Sequence, residues 1–161
     1  MPHLLPWLGL CSAITLGLFA TGAAAEQRQQ HHTIVPPNDV KWQPAPPSLR
    51  PGAQAALLYG DPSKDGLFAM RLKLPKGYVV APHSHPRPEV VTVISGALRL
   101  KIVDGDHSKE ERLTTGTFLA MPPGMVHEAV ADEETVLQLN SFGPWDMVYV
   151  NPADDPRKGT Q

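Results

Sequence analysis

Eighteen prolines and 13 glycines in 161 residues would interrupt a helix every few turns, since proline lacks a backbone donor and clashes with the turn before it. A helical bundle is therefore disfavoured, and an all-β chain full of turns is expected. The only cysteine, Cys11, cannot form a disulfide within the chain, so stability has to come from a packed core. Lys and Arg number 14 against 16 Asp and Glu, with no dense basic cluster. That balance offers no footprint for a phosphate backbone or an anionic membrane surface, and nucleic acid is not an expected partner.

Residues 4–25 carry no charged side chain and end in Ala23, Ala24 and Ala25 before Glu26. The apolar stretch 8–20 is shorter than the roughly 20 residues of a membrane span, and the small residues before Glu26 suit a signal peptidase. Residues 1–25 thus read as a cleaved signal peptide of a periplasmic or secreted protein without stable membrane insertion. Before the apolar stretch stand only the terminal amine and His3, which leaves an uncleaved anchor as the competing reading. Leu10 before Cys11 argues against lipid attachment.

Residues 26–50 are Gln-rich, then Pro-rich, with Pro36, Pro37, Pro44, Pro46 and Pro47 too close together for a helix or a central strand. They are expected to form an extended arm anchored by Ile34, Val35 and Trp42. It would either swap onto a neighbour's sheet edge in a homodimer or dock on its own barrel. His31 and His32 are adjacent, would point to opposite faces of a strand, and fit an exposed terminus better than a metal site.

From residue 51 onward, short apolar runs alternate with turn residues at the spacing of sandwiches and barrels. Strands are expected over residues 53–59, 67–74, 89–95, 97–103, 112–115, 117–121, 126–131, 135–142 and 147–150. In 67–74, Phe68, Met70, Leu72 and Leu74 share one face, against Arg71 and Lys73 on the other. Segments 89–95 and 97–103, parted by Gly96, read as a hairpin or close to one, ahead of an Asp104-Gly105 turn. About nine strands in some 100 residues predict a double-sheet jelly roll. It would occupy residues 51–152, with 153–161 as a C-terminal tail.

Within this framework His83 and His85 are two apart and point the same way on an extended backbone, and Glu89 shares their parity in the next strand. Imidazole and carboxylate are ligands that borderline divalent transition metals favour, and three nitrogens with one oxygen leave two positions of an octahedral ion open. His127 follows the turn Met121-Pro122-Pro123-Gly124, which could aim it back across a barrel at this cluster. Taken alone, His127 has an ordinary reading as a core or surface residue, and Pro82, Pro86 and Pro88 as loop chemistry.

The spacing of the whole set closely resembles the two signature motifs of the cupin superfamily. Gly77, five residues, His83, one, His85, three, Glu89, six and Gly96 match every fixed position of the first. Gly116, five residues, Pro122, one, Gly124, two and His127 match four of the five positions of the second; after three more residues Ala131 stands where the family has Asn. The resemblance covers about residues 53–150 and implies a conical β-barrel, a double-stranded β-helix, with a metal in its mouth. It implies His83, His85, Glu89 and His127 as the ligands, with Gly77, Gly96, Gly116 and Gly124 at turns. The flanking segments 60–62, 143–146 and 149–152 are similar to a group of small exported bacterial single-domain cupins.

The resemblance further implies one divalent transition-metal ion (Fe, Mn, Ni, Cu or Zn) and a small-molecule partner. Two functions are open: a metal-dependent oxidoreductase of dioxygenase type, with substrate and oxygen in the two open positions, or a non-catalytic periplasmic module that binds or senses a metal or small ligand. Glu89 could act as a base by swinging off the metal; no second acid or base stands at motif spacing, and Glu128 faces away by parity. Met70, Val91, Val93, Leu98, Phe118 and Leu139 are candidate pocket walls, suited to an aromatic or small hydrophobic compound, unless they simply fill the core. Arg71, Arg99 and Lys101 are expected outside.

Overall fold

From Phe68 to Leu74 every second side chain is buried, and this alternation gives the central sheet its inner face. The computed structural model describes residues 32–104 and 107–158; the signal-peptide reading of residues 1–25 and the reading of His31 lie outside them. The strands are β1 (Gln43–Pro44), β2 (Gln54–Tyr59), β3 (Gly66–Leu74), β4 (Val79–Ser84), β5 (Glu89–Ser95), β6 (Ala97–Asp104), β7 (His107–Thr114), β8 (Phe118–Met121), β9 (Val126–Ala131), β10 (Thr135–Gly143) and β11 (Val148–Tyr149). They form two antiparallel sheets, ordered β1-β2-β3-β10-β5-β8 and β11-β4-β9-β6-β7. Phe68, Met70, Leu74, Val93, Leu98 and Leu139 pack in the core. The fold is the all-β jelly roll expected from the sequence, and no helix among the described residues is long and apolar enough to cross a membrane.

Three local expectations change. Strands β5 and β6 do not pair as a hairpin: β5 lies between β10 and β8, while β6 lies between β9 and β7 in the other sheet. Gly96 turns the chain from one sheet to the other at φ +81°, where a Cβ would collide with the Glu134 carbonyl and stand 2.8 Å from the Thr135 Cα. Gly96→Ala is accordingly expected to cost about 2–3 kcal/mol of unfolding free energy in a denaturant titration, from backbone strain and overlap together. Strand β7 is longer than expected because all its residues except Leu113 are exposed, so no alternation betrays it. It is an edge strand, held in register with β6 from Ala97↔Thr114 to Asp104↔His107. Strand β4 is hidden in the sequence by Pro82, which falls where the pairing with β9 shifts register between Val80 and His83; its carbonyl accepts from Val150 N at 2.9 Å.

The arm docks on its own chain. Gln43 and Pro44 pair with Ala55 and Gln54, Ala45 N donates to the Ala53 carbonyl at 3.1 Å, and Ser48 and Leu49 are buried. Two tyrosines hold the end of the arm: Tyr149 Oη donates to the Ser48 carbonyl at 2.6 Å and Tyr78 Oη to the Arg50 carbonyl at 2.5 Å. Trp42 is half-buried beneath the Lys73 ammonium, 4.3 Å from the ring centroid. Ile34 is no anchor: it is 77% exposed.

Candidate metal centre

His83 on β4 and His127 on β9 are direct cross-strand partners. His85 stands one residue beyond β4, where its carbonyl accepts from Gly124 N at 2.9 Å. The turn of the second motif thus fastens the end of the first. Residues 86–88 then carry the chain across to the other sheet, where Glu89 opens β5 opposite Met121. The carboxylate therefore arrives from the facing sheet, not from a face shared with His83 and His85. Parity counted along one strand has no meaning past the proline corner.

All four residues are buried, none more than 5% exposed. Each imidazole is fixed through Nδ1 by a backbone carbonyl: His83 by Ala81 at 2.8 Å, His85 by Asp146 at 2.8 Å and His127 by Met125 at 3.1 Å. With Nδ1–H donating, the Nε2 lone pairs are free, and a ligand nitrogen from each of the three lies within 4.8 Å of the others. Glu89 closes the set, with Oε1 3.4 Å from His85 Nε2 and Oε2 3.8 Å from His127 Nε2.

Burial keeps the imidazoles neutral. It lowers His83 to about 3, with His127 and His85 adding repulsion, and it lowers His85 to about 4 and His127 in the same direction. Burial also pushes the Glu89 carboxyl up to about 7, opposed by the Trp145 indole N–H, which is near enough to favour the anion without closing a hydrogen bond. Three neutral nitrogen donors and the Glu89 carboxyl group thus converge, with one oxygen, Glu89 Oε1, without a partner. This donor set fits a divalent transition-metal ion, and three buried histidines here could hold one.

A cavity opens from these four residues into the barrel, walled by Leu49, Leu72, Val91, Leu98, Leu119 and Leu139 among others. Val91, Leu98 and Leu139 are walls as expected. Met70 and Val93 are buried without lining it. Phe118 is a correction: it is 64% exposed, because on the short β8 it is Leu119 and Met121 that turn toward the cavity. Glu128 does face away, meeting Lys101 at 3.4 Å, and Arg99 pairs with Asp132 at 3.0 Å.

Residues 70–142 match the model of the Cupin_2 cupin-domain family. The chain belongs to the cupin superfamily. Among curated proteins none matches it significantly by sequence. In solved structures this cupin is similar to KdgF from Halomonas sp., with 25% identity over 69% of this chain and 94% of that one at a TM-score of 0.54. It is also similar to an RmlC-like cupin from Shewanella frigidimarina, with 20% identity, 71% and 93% coverage and a TM-score of 0.55. The polyketide cyclase RemF from Streptomyces resistomycificus shares 18% identity over 78% of this chain and 90% of its own, at a TM-score of 0.64. The last two likenesses speak to the fold alone.

The cupin's site includes two residues not expected there, Trp145 and Met147; both stand on the loop between β10 and β11, Met147 just ahead of the strand expected to start with it. Trp145 stacks on His85 (centroids 5.2 Å apart, planes at 20°) and meets Phe68 edge-on at 6.4 Å. Their loop is held from the C-terminal segment by Arg157, which donates to Asp146 Oδ1 at 2.6 Å and to the Met147 carbonyl at 2.8 Å, and grips Asp155 through Nε and Nη2. Since the Asp146 carbonyl fixes His85, Arg157 supports a ring nitrogen it never touches. Arg157→Ala is expected to weaken zinc binding about 10-fold, the lower range for loss of an outer partner, as measured by competition with a chromogenic chelator.

Proposed function

We propose that the protein is a metal-dependent oxidoreductase of dioxygenase type, in which His83, His85, Glu89 and His127 hold one redox-capable divalent ion beside a small, largely apolar organic substrate. The observation that carries this reading is the make-up of the cavity: apart from those four residues and the Trp145 indole, every lining side chain is apolar. Such a wall binds an aromatic or aliphatic body by burial and offers no second acid, base or nucleophile among the described residues. When bound, the ion supplies Lewis acidity or an electron. The chain supplies the rest: the three imidazoles present Nε2, Glu89 presents a carboxylate oxygen, and the leucine walls exclude water.

Elemental analysis of the native protein should find one ion per chain, and an oxygen electrode should register uptake with a member of a catechol and flavonol panel. Metal-loaded protein that binds panel members in calorimetry without consuming oxygen would favour the non-catalytic binding module instead. Protein without metal would overturn the reading altogether. We also propose export, on the uncharged leader and the run Ala23, Ala24, Ala25. An intact mass lacking residues 1–25 is expected from the periplasm or medium; full-length protein in the soluble cytoplasm would contradict it.

A further inference from the structure

Among the described residues only two buried side-chain atoms lack a hydrogen-bond partner, and both belong to this cavity: Glu89 Oε1, an acceptor, and Trp145 Nε1, a donor. We propose that they form one functional pair, in which the Trp145 indole N–H holds Glu89 Oε1 while Oε2 is offered to the metal. Trp145 is then a positioning residue for the carboxylate. The inference rests on the metal reading above and adds to it how Glu89 is kept in place.

Unpaired buried polar groups are rare and costly, so two complementary ones in one cavity call for a common explanation. The indole borders the same imidazole as Oε1. It stacks on His85, whose Nε2 is 3.4 Å from Oε1, whereas Oε2 faces His127. The ring is itself fixed, edge-on to Phe68 and tied at its backbone by Trp145 N donating to the Pro62 carbonyl at 2.8 Å. A rigid donor beside a carboxylate on a flexible stem leaves the carboxylate to make the small adjustment that closes the bond. A donor on Oε1 favours the anion, the form a cation binds. With one oxygen held by the indole, Glu89 stays a fixed ligand and does not swing away as a base.

Trp145→Phe keeps a ring against His85 and deletes only the N–H. Zinc affinity is expected to fall about 10- to 100-fold in this variant, the range seen when a metal ligand loses its outer partner. In an E89A background the same substitution should change affinity less than about 3-fold, because the acceptor is gone and the two effects belong to one interaction. The wild-type protein gives an independent reading that survives even if the variant fails to fold. On adding zinc, the Trp145 indole proton should move downfield in the NMR spectrum, and in E89A, which has no acceptor there, it should not.

Unchanged zinc affinity in Trp145→Phe, an equal loss with and without Glu89, or an indole proton that does not respond to zinc would each overturn the pairing. These outcomes are separable from failure of the metal reading. If wild-type protein takes up zinc and His127→Ala does not, but Trp145→Phe binds like wild type, only the pairing is lost. Wild-type protein that takes up no zinc removes both.

Discussion

Replacing His127 with alanine is expected to lower metal affinity by at least about 100-fold, more than the loss of any outer partner. Its ring packs against both other imidazoles, with centroids 4.2 Å from His83 and 5.3 Å from His85, and its Nε2 faces Glu89 Oε2. No other histidine or carboxylate lines the cavity among the described residues, so nothing nearby can substitute as a ligand. The loss should also appear in unfolding. An ion present at about 1,000 times its Kd stabilises by about 4 kcal/mol, so chelation should lower the wild-type melting temperature by on the order of 10 °C. In His127→Ala that gap should shrink to about a third or less. Retention of the wild-type metal content and of the gap would place the ion elsewhere.

Phe68→Ala should be the most damaging single truncation of the core, at about 3–5 kcal/mol, a third or more of the stability of an ordinary domain. Phe68 is fully buried on β3 and supports Trp145 edge-on at 74°. The same substitution therefore empties the core and loosens the ring that stacks on His85. In urea the midpoint should fall with the slope unchanged, since the folded state buries the rest of its surface as before. A loss below about 1 kcal/mol would mean that the barrel closes over the gap.

The sequence reveals the strands whose two faces differ in polarity. In β3 and β10 the inward residues alternate cleanly, and those runs are legible nearly to the residue. The candidate metal cluster is legible for a different reason: its four residues stand in two short stretches that resemble the cupin motifs, and that resemblance implies them. Spacing cannot encode the rest of the cavity. Trp145 and Met147 enter it from an irregular loop, Leu49 enters from the Pro-rich arm, and none belongs to a periodic pattern. Phe118 reads as inward because it is an aromatic residue on a four-residue strand, with too few neighbours to correct the parity. The crossing of Glu89 to the other sheet is equally invisible, since a Pro-Arg-Pro corner looks the same whether the chain stays in its sheet or leaves it.

The place of β10 in its sheet has a consequence for how the chain is made. All nine of its residues pair with β3, from Thr135↔Leu74 to Gly143↔Gly66, and its other edge pairs with β5. Both partners have been synthesised by Ser95, yet the strand that joins them begins only at Thr135. Until then a nascent chain has two half-sheets with open inner edges and nothing to zip them together. Those edges are the kind that recruit other chains, so a polypeptide stalled before Thr135 is a candidate for aggregation or for chaperone capture. The barrel cannot be assembled in order of synthesis, and its folding waits until β10 has left the ribosome.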